Sequence, residues 1–429
     1  MRTCSREPVS LIPHFLSEME RGLSGRDSSL AMLPSWLNVG VPIPHNTPVL
    51  VIDAGGTNFR VSKVFFTGRG ECITDNSLIC KMPGTNGAID AESFFNICAD
   101  YIQPMLQGID RIGFCFSYPS RITPALDAQL LRWTKEVEVT GLENILIGKR
   151  LSETVQQRFK KKVQVIMLND SSAVLLGGRA AAEKNYSAYI GFILGTGTNC
   201  AYGEYNRCIA KAHQYNPEII QCVNTESANF NKLSRGTFDI SFDNTTVCPE
   251  SHVLEKMISG GYLGGLAQHI LHNACSEGIF STECASVLSR GIIHTSHLDP
   301  LLIAGENSSA QYPPSHAAHT EIFTQLPPED YTGVAHIAGF LRDRAALLAA
   351  VIIASAVIKS GQGINPERPV CITADGSTFY KMPGMKQHIE KNLHTLLDGI
   401  YKRYYEIVKI DDCPVKGAAV AGLTGQPYS

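Results

Sequence analysis

Two stretches of the chain repeat the same order of apolar runs and a glycine-rich turn. Residues 48–52 form a short apolar, β-branched run that breaks at Gly55-Gly56 and resumes with partial alternation over 59–66. This pattern predicts a strand, a turn and a second strand. A similar apolar run covers 188–194, and a further one covers 200–205.

Both turns contain the tripeptide Gly-Thr-Asn, at 56–58 and 197–199, which are 141 positions apart. In each case the tripeptide follows an apolar strand-like run. A repeated unit of this kind indicates that each half of the chain is one copy of a duplicated domain.

Strand-like and helix-like patterns alternate between and after these regions. Apolar runs at 112–116 and 163–168 predict buried strands, and the second leads into a helical pattern over 173–183. The alternation predicts an α/β fold. A stretch rich in Ser, Pro and Ala over 305–319 is typical of a loop or insertion. Further predicted elements are helices over 253–272, 320–326, 339–361 and 417–423 and a strand over 370–374.

Composition narrows the class of protein. A chain of 429 residues is long enough for two domains with separate cores. Its 37 basic and 40 acidic residues give a net charge of −3, so no nucleic acid or anionic membrane is expected as a partner. The first ten residues lack a secretory apolar core, and the longest apolar run, 345–354, is too short to span a bilayer. We therefore expect a cytoplasmic protein.

The cysteines and histidines do not predict a metal site. Thirteen cysteines include no Cys-x-x-Cys pair, and Cys115, Cys200 and Cys371 lie in strand-like runs, which is typical of reduced core residues. His-x-x-His occurs at 269–272 and 294–297 without a Cys or carboxylate pattern that would complete a zinc site.

Candidate chemistry begins at the first glycine turn, residues 53–60 (DAGGTNFR). Glycines after a buried strand let backbone N–H groups approach a polyanion that a β-carbon would obstruct. Asp53 could hold a magnesium ion through water. A plain hairpin with a turn-capping Asp is the alternative.

The second turn, residues 194–199 (LGTGTN), offers glycines and hydroxyls suited to the opposite side of a phosphate chain. Two such turns would form a clamp. Neither fits the Gly-x-x-x-x-Gly-Lys-Ser/Thr loop, and neither opens a helix as a dinucleotide fingerprint does, which argues against a P-loop or Rossmann enzyme.

Asp170 lies at the carboxyl end of a predicted buried strand and at the start of a helix, where α/β sheets usually place ligand-binding groups. A carboxylate in this position can accept the proton of an attacking hydroxyl in phosphoryl transfer. The alternative is that Asp170 only caps the helix.

Besides the two glycine turns and 168–172, further notable segments are LAMLPS at 30–35, FSYP at 116–119 with RWTK at 132–135, VNTE at 223–226, LEKMISG at 254–260 and ADGS at 374–377. Taken together and in order, these segments resemble those of hexokinases and glucokinases, which belong to the superfamily of actin, sugar kinases and heat-shock ATPases. The resemblance implies a two-lobed, ribonuclease H-like α/β fold with a five-stranded sheet in each lobe. It also implies a small domain of 47–167 plus 418–429 and a large domain of 1–46 plus 168–417.

The resemblance further implies residue roles around a cleft between the lobes. The predicted hexose-binding residues are Ser117, Thr134, Lys135, Asn169, Asp170, Asn199, Glu226 and Glu255. The predicted nucleotide-binding residues are Asp53, Gly55, Gly56, Thr57, Asn58, Arg60, Gly195, Thr196, Gly376, Ser377 and Gly417. Taken singly, Glu255 could equally be a solvated helix residue, and Thr134-Lys135 an exposed loop.

The implied reaction is transfer of the γ-phosphoryl group of ATP, with Mg²⁺, to the 6-hydroxyl of glucose or a related hexose. Asp170 would be the general base, and Lys135 would stabilise the charge near the γ-phosphate. After Glu226 the family usually has Trp-Gly, whereas this chain has Ser227-Ala228, and the stretch 274–329 resembles the family least and receives no role.

Three other classes of protein are alternatives to a hexokinase. A non-catalytic hexose sensor would retain the fold but lose Asp170, Lys135 or a phosphate-facing glycine, and all are present. An actin-like assembly or chaperone ATPase has no use for the sugar-type residues. The neighbouring repressor-related kinases carry a cysteine-rich zinc motif that this chain lacks.

Overall fold

A computed structural model describes residues 7–131, 133, 137–182, 184–306 and 323–428. The strands are β1 (Leu33–Asn38), β2 (Val49–Gly55), β3 (Asn58–Phe66), β4 (Cys72–Lys81), β5 (Ile89–Asp90), β6 (Arg111–Phe116), β7 (Ser120–Ile122), β8 (Ala128–Leu130), β9 (Val139–Thr140), β10 (Gln164–Leu168), β11 (Ala188–Leu194), β12 (Thr198–Tyr205), β13 (Ile220–Asn224), β14 (Val370–Asp375) and β15 (Tyr405–Val408).

The α-helices are α1 (Glu7–Leu23), α2 (Ala91–Ile102), α3 (Ile147–Phe159), α4 (Asp170–Ala180), α5 (Thr237–Asp243), α6 (Val253–Ile258), α7 (Leu263–Ser276), α8 (Thr282–Leu288), α9 (Asp299–Glu306), α10 (Pro328–Lys359), α11 (Ser377–Lys381), α12 (Met385–Leu393) and α13 (Cys413–Thr424). Among these helices of the described residues, none is both long and apolar enough to cross a membrane.

Two mixed sheets repeat one topology, which agrees with the predicted duplication. The first sheet has the order β10-β6-β2-β3-β4, and the second has β15-β14-β11-β12-β13-β1. In the first, β2 pairs antiparallel with β3 and parallel with β6; in the second, β11 pairs antiparallel with β12 and parallel with β14. The two glycine turns therefore occupy equivalent hairpins.

The expected five strands in each sheet are correct for the first sheet and wrong for the second, which has six among the described residues. The additional strand is β1, which pairs antiparallel with β13 so that Leu33 lies opposite Asn224. Its sequence contains Pro34 and shows no alternation, so only the long-range pairing makes it a strand.

Both faces of the first sheet are covered. Val49 and Val51 of β2 join the larger apolar cluster, whereas Leu50 and Ile52 join the smaller one. This alternation follows from the period of two along a strand. Helix α13 contacts β2 and β6 of the first sheet and also α4, which packs on the second sheet.

Most predicted elements appear with small changes in their bounds. The predicted helix over 253–272 is wrong as a single element, because it divides into α6 and α7. The predicted helix over 339–361 begins earlier, at Pro328, and a proline in the first turn is a common helix start. Cys115, Cys200 and Cys371 are buried, as predicted. Most of 305–319, and 320–322 of another predicted helix, lie outside the described residues.

Candidate active site

The first glycine turn closes the β2–β3 hairpin, with Gly55 opposite Asn58 in the register. Gly56 has a φ of +72°, a left-handed conformation that favours glycine. Its carbonyl accepts a hydrogen bond of 2.8 Å from the Tyr118 hydroxyl. Gly55 and Thr57 are exposed at the tip, and a β-carbon on Gly55 would lie 3.5 Å from Ser117 Oγ. The turn thus has a rigid base and an open surface.

The second glycine turn joins β11 to β12. The Gly195 N–H donates to the Gly197 carbonyl at 2.9 Å, which tightens the turn. Gly195 is buried, whereas Thr196 is exposed. Gly376, at a φ of +113°, packs against this turn so closely that a β-carbon there would lie 2.3 Å from the Leu194 carbonyl oxygen. The end of β14 and the second turn are therefore neighbours.

Asp170 is the first residue of α4, immediately after β10. The helix cap is Asn169, whose Oδ1 accepts a hydrogen bond of 2.9 Å from the Ser171 N–H, so the alternative that Asp170 is the N-cap is wrong. Asp170 Oδ1 accepts from the same N–H at 2.8 Å. Asp170 is half-buried, and its carboxylate stands at the positive end of the helix dipole.

Two carboxylates from other elements act electrostatically on Asp53. The pKa of Asp53 is raised to about 6, chiefly by burial; the positive Arg60 opposes this, and the negative charges of Asp170 and Asp375 add to it. Asp53 lies two residues before the end of β2, Asp375 ends β14 and Asp170 begins α4. Asp53 and Asp170 were predicted as site residues and Asp375 was not, although its segment is among those that resemble the family.

A network of amides, hydroxyls and a carboxylate connects three of the predicted hexose-binding residues. Asn224 Nδ2 donates to Glu226 Oε1 at 2.7 Å, and Asn199 Nδ2 donates to Asn224 Oδ1 at 2.9 Å. Ser171 Oγ donates to Asn169 Oδ1 at 2.7 Å and lies 3.5 Å from Asn224 Oδ1, which links Asn169 to the other two residues. Asn224 is almost fully buried, so its amide holds the other two side chains in fixed positions.

Glu226 has a φ of +55°, which is uncommon for a residue other than glycine and costs conformational energy. The Glu226 N–H donates to Asn224 Oδ1 at 3.1 Å, and this bond stabilises the conformation. Asn224 and Ser171 were not predicted as site residues. Asn224 belongs to the segment VNTE at 223–226, which resembles the family, and this was a signal for the first of them.

Glu255 belongs to the first turn of α6 and contacts the second glycine turn. Its Oε2 accepts a hydrogen bond of 2.9 Å from the Thr198 N–H. A β-carbon on Gly197 would lie 2.6 Å from the same oxygen, so the carboxylate rests directly against the glycine. This contact excludes the alternative in which Glu255 only faces solvent, and it joins a predicted sugar residue to a predicted phosphate turn.

Other predicted nucleotide-binding residues contact other parts of the protein or lie at its surface. Arg60 forms an ion pair of 3.2 Å with Asp412 at the start of α13. A β-carbon on Gly417 would lie 1.7 Å from the Ala173 carbonyl oxygen, so this glycine is required by the contact between α13 and α4. Asn58 lies opposite Lys81 in the β3–β4 ladder, and Ser377 is exposed at the start of α11. Thr134 and Lys135 lie outside the described residues.

The side chains of the site suit a hard cation that arrives bound to phosphates better than a cation held by protein ligands alone. Within the described ranges, no group of three or more His, Cys, Asp and Glu side chains could hold a metal ion. Magnesium prefers oxygen ligands and usually keeps several of its bound waters. The carboxylates of Asp53, Asp170 and Asp375 are suited to contact it through those waters. These residues fit a magnesium ion held mainly by water and phosphate oxygens.

Comparisons with known proteins identify the family of the chain. Two family models described as hexokinase match residues 3–180 and 189–424. The hexokinase of Kluyveromyces lactis is 27% identical over 99% of this chain and 88% of its own length. Hexokinase-2 of Saccharomyces cerevisiae is 26% identical over 94% of this chain and 84% of its own length.

Solved structures show the same fold at lower identity. A hexokinase from Schistosoma mansoni complexed with glucose has a TM-score of 0.78 at 24% identity and covers 97% of this chain and 95% of its own. A further hexokinase crystal structure has a TM-score of 0.81 at 22% identity and covers 99% of this chain and 97% of its own. The predicted two-lobed fold is thereby confirmed. The chain belongs to the hexokinase family of sugar kinases.

Proposed function

We propose that the protein transfers the γ-phosphoryl group of Mg-ATP to the 6-hydroxyl of a hexose, with glucose as the first substrate to test and Asp170 as the general base. The position of Asp170 carries this proposal. Its charge acts on Asp53 together with that of Asp375, and its neighbours Asn169 and Ser171 belong to the polar network. One carboxylate thus adjoins both the candidate phosphate region and the candidate sugar region.

The hexose would be bound by groups that match its hydroxyls. Glu226 and Glu255 accept hydrogen bonds, and Asn169 and Asn199 can both donate and accept. Ser117, Thr134 and Lys135 are the further candidates. Glucose is favoured because a structural relative was solved in complex with glucose. Mannose, fructose and glucosamine differ from it at one or two positions, and the same residues would contact them.

In the proposed step, Asp170 accepts the proton of the 6-hydroxyl as its oxygen attacks the γ-phosphorus and the bond to ADP breaks. The turns at Gly55–Thr57 and Gly195–Thr196, which expose Gly55, Thr57 and Thr196, would surround the phosphates with backbone N–H groups. Magnesium bound with ATP would neutralise phosphate charge, and Asp53 is the residue proposed to hold it through water. Lys135 would add a positive charge near the γ-phosphate.

Exclusion of water matters for this chemistry, because water is itself an acceptor for the phosphoryl group. We propose that the small domain (47–167 plus 418–429) closes on the large domain (1–46 plus 168–417) when the hexose binds. A cytoplasmic location stays a prediction from the sequence.

The test compares wild type with Asp170→Asn in a coupled ADP-release assay with Mg-ATP, a panel of four hexoses and a blank without sugar. Loss of a general base typically lowers the rate by about 10²–10⁴-fold, and hexose binding measured by calorimetry should persist. Asp110→Asn is the matched control, because that carboxylate forms an exposed ion pair with Lys161. Its turnover should equal that of wild type.

Two results would contradict the proposal in different ways. Near-normal turnover of Asp170→Asn would refute the assignment of the base. Hexose binding by wild type without any ADP release would favour the second candidate, a non-catalytic hexose sensor with the same fold. The presence of Asp170 and the two phosphate-type turns argues against that candidate, since a sensor has no need of them.

A further inference from the structure

Thr378 lies directly behind the second glycine turn and is not among the predicted site residues. It is the second residue of α11, follows the exposed Ser377, and is only 6% exposed. Its hydroxyl donates a hydrogen bond of 2.9 Å to the Gly195 carbonyl oxygen, 183 positions away in the chain. This bond joins the candidate adenosine segment to the candidate phosphate turn.

The Gly195 carbonyl oxygen has a second donor on the protein side. The Gly260 N–H donates to it at 2.8 Å, and the adjacent Gly261 N–H donates to the Thr196 carbonyl at 2.9 Å. A carbonyl oxygen has two lone pairs, so the donors from Gly260 and Thr378 satisfy it fully. The peptide after Gly195 therefore has a fixed orientation, with its oxygen directed toward the protein.

The orientation of this peptide matters because the oxygen and the next N–H point in opposite directions in a planar trans peptide. When the Gly195 oxygen points into the protein, the Thr196 N–H points the other way. Thr196 is exposed at the tip of the turn, where the proposed function puts the phosphates of ATP. Backbone N–H groups held in advance bind anions without a reorganisation cost.

The hydroxyl of Thr378 also differs from an ordinary helix threonine. A Thr inside a helix commonly bonds to the carbonyl three or four residues earlier in its own helix. Thr424 does this, with a bond of 2.8 Å from its hydroxyl to the Val420 carbonyl. Thr378 instead reaches a different element, so its hydroxyl positions that element.

We infer that Thr378 is a positioning residue for nucleotide binding, which acts by holding the Gly195 peptide so that the turn presents its N–H groups to the phosphates. The inference rests on the proposed function. Thr378 should therefore affect nucleotide binding and not hexose binding. The predicted hexose-binding residue next to this turn, Glu255, accepts its hydrogen bond from the Thr198 N–H, on the other side of the turn from Thr378.

The test uses Thr378→Val, which keeps the shape and removes the hydroxyl, and Thr378→Ser, which keeps the hydroxyl. Loss of one neutral hydrogen bond lowers a binding affinity by about 2–10-fold. Thr378→Val should therefore raise the KM for ATP and the Kd for Mg-ATP by about that factor. The KM for the hexose should stay within about 2-fold, and Thr378→Ser should recover most of the loss in ATP affinity.

Thr424→Val is the matched control, because it removes a buried threonine hydroxyl in α13 whose hydrogen bond, at 2.8 Å, is close in length to that of Thr378. It should change the free energy of unfolding but neither KM. An unchanged KM and Kd for ATP in Thr378→Val would overturn the inference, and so would an equal rise in both KM values or a failure of Thr378→Ser to restore ATP binding.

Calorimetry with Mg-ATP separates this inference from the proposed function. If wild type binds Mg-ATP but releases no ADP with any hexose, the kinase proposal fails, and the weaker binding of Thr378→Val would still support the positioning role. If wild type turns over and Thr378→Val binds Mg-ATP normally, only the inference fails. If wild type does not bind Mg-ATP, both are refuted.

Discussion

Gly197→Ala should weaken hexose binding through Glu255, without any change in a residue that touches the hexose. Gly197 has no positive φ, so its backbone conformation accepts alanine. The new β-carbon would lie 2.6 Å from Glu255 Oε2, whereas ordinary contacts begin at 3.4 Å. The carboxylate would have to move by most of an ångström and would lose its hydrogen bond of 2.9 Å from the Thr198 N–H.

The size of the effect follows from the kind of bond that is lost. A hydrogen bond to a charged group contributes about 1.5–3 kcal/mol. If that energy is needed to hold Glu255 in its hexose-binding position, the Kd for glucose should rise about 10–150-fold. Because the lost bond lies within the folded protein, the free energy of unfolding should fall by no more than about the same 1.5–3 kcal/mol.

The assay is calorimetric titration of glucose without nucleotide, so that effects on ATP do not enter. Gly195→Ala is the matched control in the same turn, because its β-carbon would come no nearer than 3.5 Å to any atom outside its immediate neighbours. Its affinity for glucose should equal that of wild type. Normal glucose affinity of Gly197→Ala, or an equal loss in Gly195→Ala, would refute the reasoning.

Two further predictions concern stability. Gly417→Ala would put a β-carbon 1.7 Å from the Ala173 carbonyl oxygen, where backbone lies on both sides, so we expect a loss of about 1–3 kcal/mol or more in thermal unfolding. Unchanged stability would show that α13 and α4 can separate freely. Lys256→Met removes the buried partner of Asp243, which keeps its ion pair of 3.0 Å with Arg235. Breaking a buried pair costs about 3–5 kcal/mol, and the remaining arginine should limit the loss in urea unfolding to about 3 kcal/mol. A loss well under 1 kcal/mol in this variant would contradict the argument.

Local patterns predicted the elements that carry the candidate site. The strand, turn and strand at 48–66 and again at 188–205 were visible because apolar residues of a buried strand are contiguous and glycines mark the turn. The position of Asp170 after β10 was visible for the same reason. The equivalent topology of the two sheets agrees with the repeated tripeptide.

Contacts between distant segments were not predictable from local pattern. Residues 253–272 are helical in composition, but the N–H groups of Gly260 and Gly261 bond to the carbonyls of Gly195 and Thr196, so the helix divides there. The helix cap at Asn169 depends on rotamers that no spacing specifies. Residues 33–38 form a strand only because β13 lies beside them.

Local sequence pattern is enough to predict the α/β class, the duplication, the two glycine turns and the types of side chain available for binding, because these features depend on neighbours within about one element. Which of those side chains meet depends on tertiary packing. Asn224 holds Glu226 and Asn199, Glu255 rests on Gly197, and Thr378 bonds to Gly195. Apart from the short link between Asn224 and Glu226, these contacts join residues far apart in the chain, and packing of the whole fold sets their geometry.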